Sequence, residues 1–378
     1  MRTSRQLGKF DRYALLAGLG LLLAFALWWW SNGSAHAVRG PTHLQLGGDG
    51  RVYVGLEQEL VVFNQNGVQQ ERIPLSRFGV DMLVGDFLID KQRRIILRRP
   101  VGDGPPGKGL RVYMRKNGKG IDEVPEGDTA LQRCPLQGGT CEPFAPAFRS
   151  TRTFKLWLDE KRNALFLADT AQHRLLRLSR DGELQARSEY GYRFPNTVQI
   201  GHDGLLYVAN TDFHRISAVS PEQADFGTVR DERFLSDSEL DRRSDFPAAA
   251  AEAADGTLWV IDDDHHMANG KLLMLPANGT AQTLEIEQPS GADPTALLAI
   301  GKRMLVVDPG RLEVRQYDLN GKILAPFGDA AFRSGLESQF LQKRVMRALS
   351  YFAVALLLAL GAALIALNIL QRREQQAA

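Results

Sequence analysis

The segment between residues 41 and 330 repeats itself, and that repeat limits the fold more than any other feature of the 378-residue chain. Two copies stack cleanly: "FKLWLDEKRNALFLADTAQHRLLRLSRDGEL" from Phe154 and "PNTVQIGHDGLLYVANTDFHRISAVSPE" from Pro195. Looser copies begin at Thr42, Ala250 and Pro294, and a poorer one reads "FLIDKQRRIILRRP" from Phe87 and resumes at "LRVYMRKNGK". Each copy runs from an apolar strand into a polar turn, often Asp-Gly, as at Asp49-Gly50, Asp203-Gly204 and Asp255-Gly256. These dipeptides favour hairpins. A second apolar strand follows, then a third, an Asn- or Asp-containing turn, and a fourth. Four antiparallel strands in about 45 residues make one propeller blade. Six such units fit the repeat region, so the expected fold is all-β: a six-bladed β-propeller at 41–330.

"LFLADTAQHRLLRLSRDG" and "LYVANTDFHRISAV" resemble NHL repeats, whose pattern runs roughly Y-V-A-D-x-x-N-H-R-I. Asp169 and Asn210 stand at the Asp position, and His173-Arg174 and His214-Arg215 at the His-Arg position, while Gln172 and Phe213 replace the usual Asn. The resemblance is close in two blades and loose in four, and it implies an NHL-like propeller. It also bears on "IDDDHH", residues 261–266, which looks like a metal site. Aligned by spacing, Asp262 falls on Asp169 and Asn210, and His266 on His173 and His214. The cluster then reads as a structural turn. Its acid should bond backbone N–H groups and its histidine should pack on the next blade. Only Asp263, Asp264 and His265 are extra.

Two uncharged runs flank the repeats. Residues 13–30 end in Trp28–Trp30 like an interfacial aromatic belt, and residues 348–370 are long enough to span a bilayer with some tilt. The first also admits a signal-peptide reading, with Arg2, Arg5, Lys9 and Arg12 as the basic region and "AHA" at 35–37 as the cleavage site. Lys and Arg counts favour cytoplasmic tails at 1–12 and 371–378, with 331–347 as a juxtamembrane segment. The expectation is a bacterial inner-membrane protein, single or double spanning, with its propeller in the periplasm. Its partners would be the lipid bilayer and another envelope protein. A charge balance of 46 basic to 44 acidic residues gives no reason to expect nucleic acid. Cys134 and Cys141, in "CPLQGGTC", have the wrong spacing for a redox pair, zinc ribbon or haem site. A disulfide closing the insertion between the second and third blades is expected in an oxidising compartment; two free thiols are the alternative.

Other chemistry is thin. "GDGPPGKG", residues 102–109, nearly matches a P-loop, but Gly109 replaces the magnesium-holding Ser/Thr and "LRVYM" follows as strand, so it reads as a surface loop. Arg93, Arg94, Arg98, Arg99, Arg111, Arg115 and Lys116 make the second blade basic, which suits solvated edges. Gluconolactonase- and strictosidine-synthase-like propellers hold a divalent metal with Glu, Asn and Asp from the starts of inner strands. Here only Asn196 and Asp293 occupy such places, and no Glu heads the first blade. The chain also lacks G-x-S-x-G, H-E-x-x-H and C-x-x-C-H. No catalytic residue and no cofactor are assigned. The expected function is binding or scaffolding in an envelope complex. The alternative is a metal-dependent propeller hydrolase.

Overall fold

The computed structural model describes residues 9–38, 40–100, 129–145, 153–188, 191–236, 238–276 and 283–377. They form two compact units: Gly40–Arg333, and Met1–Arg39 with Ser334–Ala378.

The larger unit is a six-bladed β-propeller. Its blades are β1 (His43–Leu46), β2 (Val52–Gly55), β3 (Glu59–Phe63) and β4 (Gln69–Pro74); β5 (Phe87–Ile89), β6 (Arg94–Pro100), β7 (Thr129–Pro135) and β8 (Glu142–Phe144); β9 (Phe154–Asp159), β10 (Ala164–Asp169), β11 (Arg174–Ser179) and β12 (Leu184–Arg187). They continue with β13 (Pro195–Ile200), β14 (Leu206–Asn210), β15 (Arg215–Val219) and β16 (Val229–Arg233); β17 (Phe246–Glu252), β18 (Leu258–Asp263), β19 (Lys271–Leu275) and β20 (Leu284–Ile286); and β21 (Ala296–Ile300), β22 (Arg303–Asp308) and β23 (Glu313–Asp318). Every sheet is antiparallel and follows chain order. In the last blade the chain beyond Gly321 lies along β23 without forming a full strand. Tyr317 bridges Ile323, Leu324 N–H donates to Gln316 O at 2.8 Å, and Phe327 N–H to Val314 O at 2.8 Å.

Sequence pattern explains the layering. Second strands such as "ALFLAD" and "LYVAN" are buried at every residue, because each is mid-sheet and covered by a blade on either side. First strands such as "ALLAI" alternate, because one row of side chains faces the central channel. The core is therefore a series of seams between blades. Leu88, Phe144, Phe154 and Leu165 fill one, and Trp259, Ile261, Met304 and Tyr317 another. Burying each such side chain contributes about 1.5–3 kcal/mol. The Asp-Gly turns carry a shared brace. Asp49 and Asp203 each accept a backbone N–H two residues on and a tyrosine hydroxyl four residues on, from Tyr53 and Tyr207, both at 2.9 Å.

The ring closes without strand exchange: the first and last sheets share no strand. β21 lies beside β1, and the seam is held by Phe63 against Phe327 and Phe332, with centroids 5.2 and 4.9 Å apart. Gln69 N–H donates to Asp329 at 3.2 Å, and Arg303 donates to Gln65 O at 2.6 Å.

Two details of the second blade correct the sequence reading. Its third strand is Thr129–Pro135, not "LRVYM". That segment and the P-loop-like "GDGPPGKG" lie outside the described residues, as do Arg111, Arg115 and Lys116. Cys134 and Cys141 are disulfide-bonded, but the bond stays within the blade, between β7 and the residue before β8, rather than closing the junction to the third blade.

The smaller unit pairs α1 (Lys9–Ala37) with the part of α3 (Ala330–Ala377) beyond Arg333; a short helix, α2 (Glu239–Arg242), belongs to the propeller. Both long helices are apolar and long enough to cross a membrane, with mean hydropathy 1.8 and 2.6 over their best windows. They meet at Gly20, where a Cβ would stand 3.0 Å from Leu360 Cδ1. Gly18 and Gly361 have open space around them.

Candidate functional site

Two places concentrate polar side chains. The first is the turn between second and third strands. In the third blade Asp169 accepts from Arg174 Nε at 2.9 Å, both side chains being buried. Thr170 donates to Pro195 O at 2.7 Å, at the start of the next blade. His173 is left-handed, with φ 55°; its Nδ1 accepts from Phe194 N–H at 3.0 Å and its ring meets Phe194 edge-on at 4.7 Å. The fourth blade repeats the arrangement. Asn210 accepts from Arg193 N–H at 2.8 Å, Thr211 donates to Pro247 O at 2.7 Å, and His214, φ 56°, donates from Nδ1 to Asp245 O at 2.6 Å while packing on Phe246 at 5.0 Å. In the sixth blade Leu312, φ 56°, takes the histidine's place and packs so closely that a Cβ on Gly40 would come within 2.5 Å of it. In each case the preceding blade clamps a residue just ahead of a proline that leads into a first strand: Phe194-Pro195, Phe246-Pro247 and Gly40-Pro41. Proline is tolerated at a strand start, where its missing N–H breaks no ladder.

The fifth blade departs from this, and His266 is the correction. Asp169 pairs with Arg174 and Asn210 with Arg215, but Asp262 pairs with Lys271. The turn is four residues longer, so Gly270, not His266, occupies the position of His173 and His214. No side chain would fit there: a Cβ at Gly270 would lie 2.7 Å from Asp263 Oδ1 and 3.1 Å from Pro294 O. His265 and His266 are exposed on the extra loop, with ring centroids 3.7 Å apart. Asp264 organises that loop by accepting from His266 N–H at 2.8 Å and Asn269 Nδ2 at 2.7 Å. Asp262 keeps the role of Asn210, accepting from Phe246 N–H at 2.6 Å. Burial, then Asp245, push its carboxyl up to about 7; burial, then Asp293, do the same to Asp263. Among the described residues no group of three or more His, Cys, Asp or Glu is placed to hold a metal. Asn196 donates to Thr211 Oγ1 at 2.7 Å, and Asp293 N–H donates to Asp308 at 2.9 Å; neither residue lines the channel, and nothing draws them to a common point.

The second place is the central channel, a cavity of about 280 Å³ bounded by the first strands of all six blades. Leu44, Leu156, Trp157, Val198 and Leu298 are among its apolar walls. Polar groups gather at the starts of β1, β5, β9 and β13, which share one mouth. Asp86 is saturated: Gln45 donates to both its oxygens at 3.1 and 3.2 Å, Phe87 N–H at 2.9 Å and Leu156 N–H at 3.0 Å. His43 Nε2 donates to Gly85 O at 2.5 Å, and Thr42 Oγ1 lies 2.7 Å from its Nδ1. Burial, then the Lys155 ammonium, lower the His43 pKa to about 4 against the pull of Asp86, so the ring is neutral at physiological pH. Lys155, half-buried on β9, makes no side-chain hydrogen bond or ion pair among the described residues. The sequence reading missed His43, Gln45 and Lys155. Their signal was the alternation of "HLQL" and "FKLWLD", which sends every second residue of a first strand to the channel.

No known protein family and no curated protein matches the chain. Solved structures similar to it include a catalytically inactive virginiamycin B lyase from Staphylococcus aureus with quinupristin, at 14% identity over 77% of this chain and 85% of that one, TM-score 0.49. A candidate 6-phosphogluconolactonase from Bacteroides uniformis shares 13% over 74% and 79%, TM-score 0.42. The β-propeller domain of Cps50 (Swd1) from Myceliophteria thermophila shares 10% over 71% and 81%, TM-score 0.44. These neighbours vary in function, and likeness at this level bears on no activity.

Proposed function

We propose that the protein is a membrane-anchored NHL-type propeller of the bacterial envelope, held in the periplasm by its two apolar helices and acting as a binding or scaffold module. One observation carries this reading: the acids, amides and histidines of the repeat turns are committed to holding those turns and the neighbouring strands. Asp169, Asn210, His173 and His214 serve the blade junctions, and Asn196 and Asp293 are tied to the same turns. These commitments support the binding reading over the metal-dependent hydrolase. The binding partner is then another envelope protein, reached by the faces and rim of the ring.

Topology and partnership are tested separately. A cysteine at exposed Asp203 should react with a membrane-impermeant maleimide in intact cells, and one at Arg372 should not; the reverse pattern refutes the periplasmic placement. A photo-crosslinking residue at Leu240, Met267, Leu184 or Leu284, all exposed apolar positions, should give a discrete heavier adduct from a subset of sites. No adduct from any of them refutes the scaffold.

A further inference from the structure

Among the described residues that line the central channel, Lys155 makes no side-chain hydrogen bond or ion pair. Lys155 on β9 stands beside Asp86, which is only 5% exposed and already accepts from three donor groups, and beyond Asp86 lies His43 on β1, which is neutral. An ammonium half-withdrawn from water forfeits hydration that a protein usually replaces with a carboxylate or carbonyl. Here no such group is supplied by the described residues. The remaining wall combines aliphatic side chains and the Trp157 ring with the neutral polar groups of Gln45, Thr197 and Gln199, and beyond the end of β9 with Glu160, which faces Lys91 at 3.6 Å and Arg180 at 3.7 Å. Ligand seats have this composition: mostly apolar, with a few convergent polar groups.

We infer that the channel is a seat for a small monocarboxylate with an apolar body, its carboxylate held by Lys155. This deepens the reading of the protein as a binding module and rests on it. A cavity of about 280 Å³ bounded by strands on every side suits a small molecule. The charge sets the class. One free ammonium matches one negative charge; a phosphate would call for further donors or a metal. A zwitterion would need a second free acid, and of the two acids that line the channel Asp86 is saturated and Glu160 faces Lys91 and Arg180. The walls set the remainder of the ligand, aliphatic or aromatic, which would lie along Trp157, Leu297 and Ala299.

The test uses the full chain in nanodiscs, with empty nanodiscs as the blank, and two probes of nearly equal shape: 3-phenylpropanoate and 3-phenylpropanamide. Ligand-observed NMR and calorimetric titration should find the acid binding in the millimolar range or tighter. Lys155→Met should weaken it about tenfold or more, the loss expected of one charge-assisted contact. The amide should bind Lys155→Met and wild type alike, and Lys155→Arg should recover most of the acid's affinity. Because His43 does not titrate above pH 5, affinity for the acid should be flat from pH 6 to 8. Equal binding of the acid to wild type and Lys155→Met overturns the proposal, as does the absence of binding by either probe to wild type. Unchanged melting of Lys155→Met shows that the ring is intact. Since the assay reads only the channel, its failure leaves the crosslinking and labelling outcomes standing, and theirs leaves this one.

Discussion

The turns after the second strand of the fourth and fifth blades start alike and end differently. Asn210 and Asp262 hold the same register, each accepting a backbone N–H at the start of its own blade's first strand, from Arg193 just ahead of β13 and from Phe246 at the head of β17. After Asn210 the chain turns in four residues through a left-handed histidine that clamps Phe246. After Asp262 it needs eight, and places two acids and two exposed histidines in the detour. The short turn joins neighbouring blades, whereas the long one is held mainly by its own side chains. Resemblance in residue type and equivalence in role are therefore separate things in a repeat protein, and the backbone register decides between them.

The sharpest way to probe the short turn is to break its buried ion pair in the third blade. Asp169→Ala leaves Arg174, itself nearly buried, without its carboxylate. Unfolding in urea should show a loss of about 3–5 kcal/mol. A loss below about 1 kcal/mol would mean that the turn does not hold the blades together.

The long turn should respond to pH. The folded Asp262 carboxyl lies near 7, above its ordinary value near 3.8, so the folded state binds the proton more tightly than the unfolded chain. The stabilising contribution is complete below about pH 4 and is lost as pH rises through 7. Thermal melts should therefore show lower stability at pH 8 than at pH 5, by roughly 2–3 kcal/mol from this group. Asp262→Asn keeps the oxygen that accepts from Phe246 and should remove this share of the dependence while leaving that of Asp263; an unaltered profile in that variant assigns the effect elsewhere.

The smallest effects separate the two histidines that spacing alone makes equivalent. His214→Ala removes a hydrogen bond and an edge-on ring contact, and should cost about 1–2 kcal/mol. His266→Ala alters an exposed side chain and should stay within about 0.5 kcal/mol. Equal losses in chemical denaturation would restore the equivalence.

The propeller was legible in the sequence because its determinants are local. Asp-Gly turns, fully apolar second strands and a steady period each leave a mark within a few residues. The site was less legible, for two physical reasons. Lys155 is one polar residue in an alternating strand, and alternation shows which face it shares but not that five other strands converge on that face. His266 was placed by counting four residues from Asp262, and only the pairing of Asp262 with Lys271 reveals the inserted loop. The second blade misled for a related reason: "LRVYM" has strand character, yet the strand that pairs with β6 starts at Thr129.

The closing seam has a consequence for how such rings change size. Because the first and last sheets share no strand, each blade is a complete, self-contained stretch of chain, and the final joint is made by the side chains of Phe63, Phe327 and Phe332. A duplication or deletion of one blade-length segment would leave every hydrogen-bonded ladder whole. It would change only the angle at which neighbours must meet, so blade number in this architecture is set by the wedge shape of the packed seams and not by connectivity.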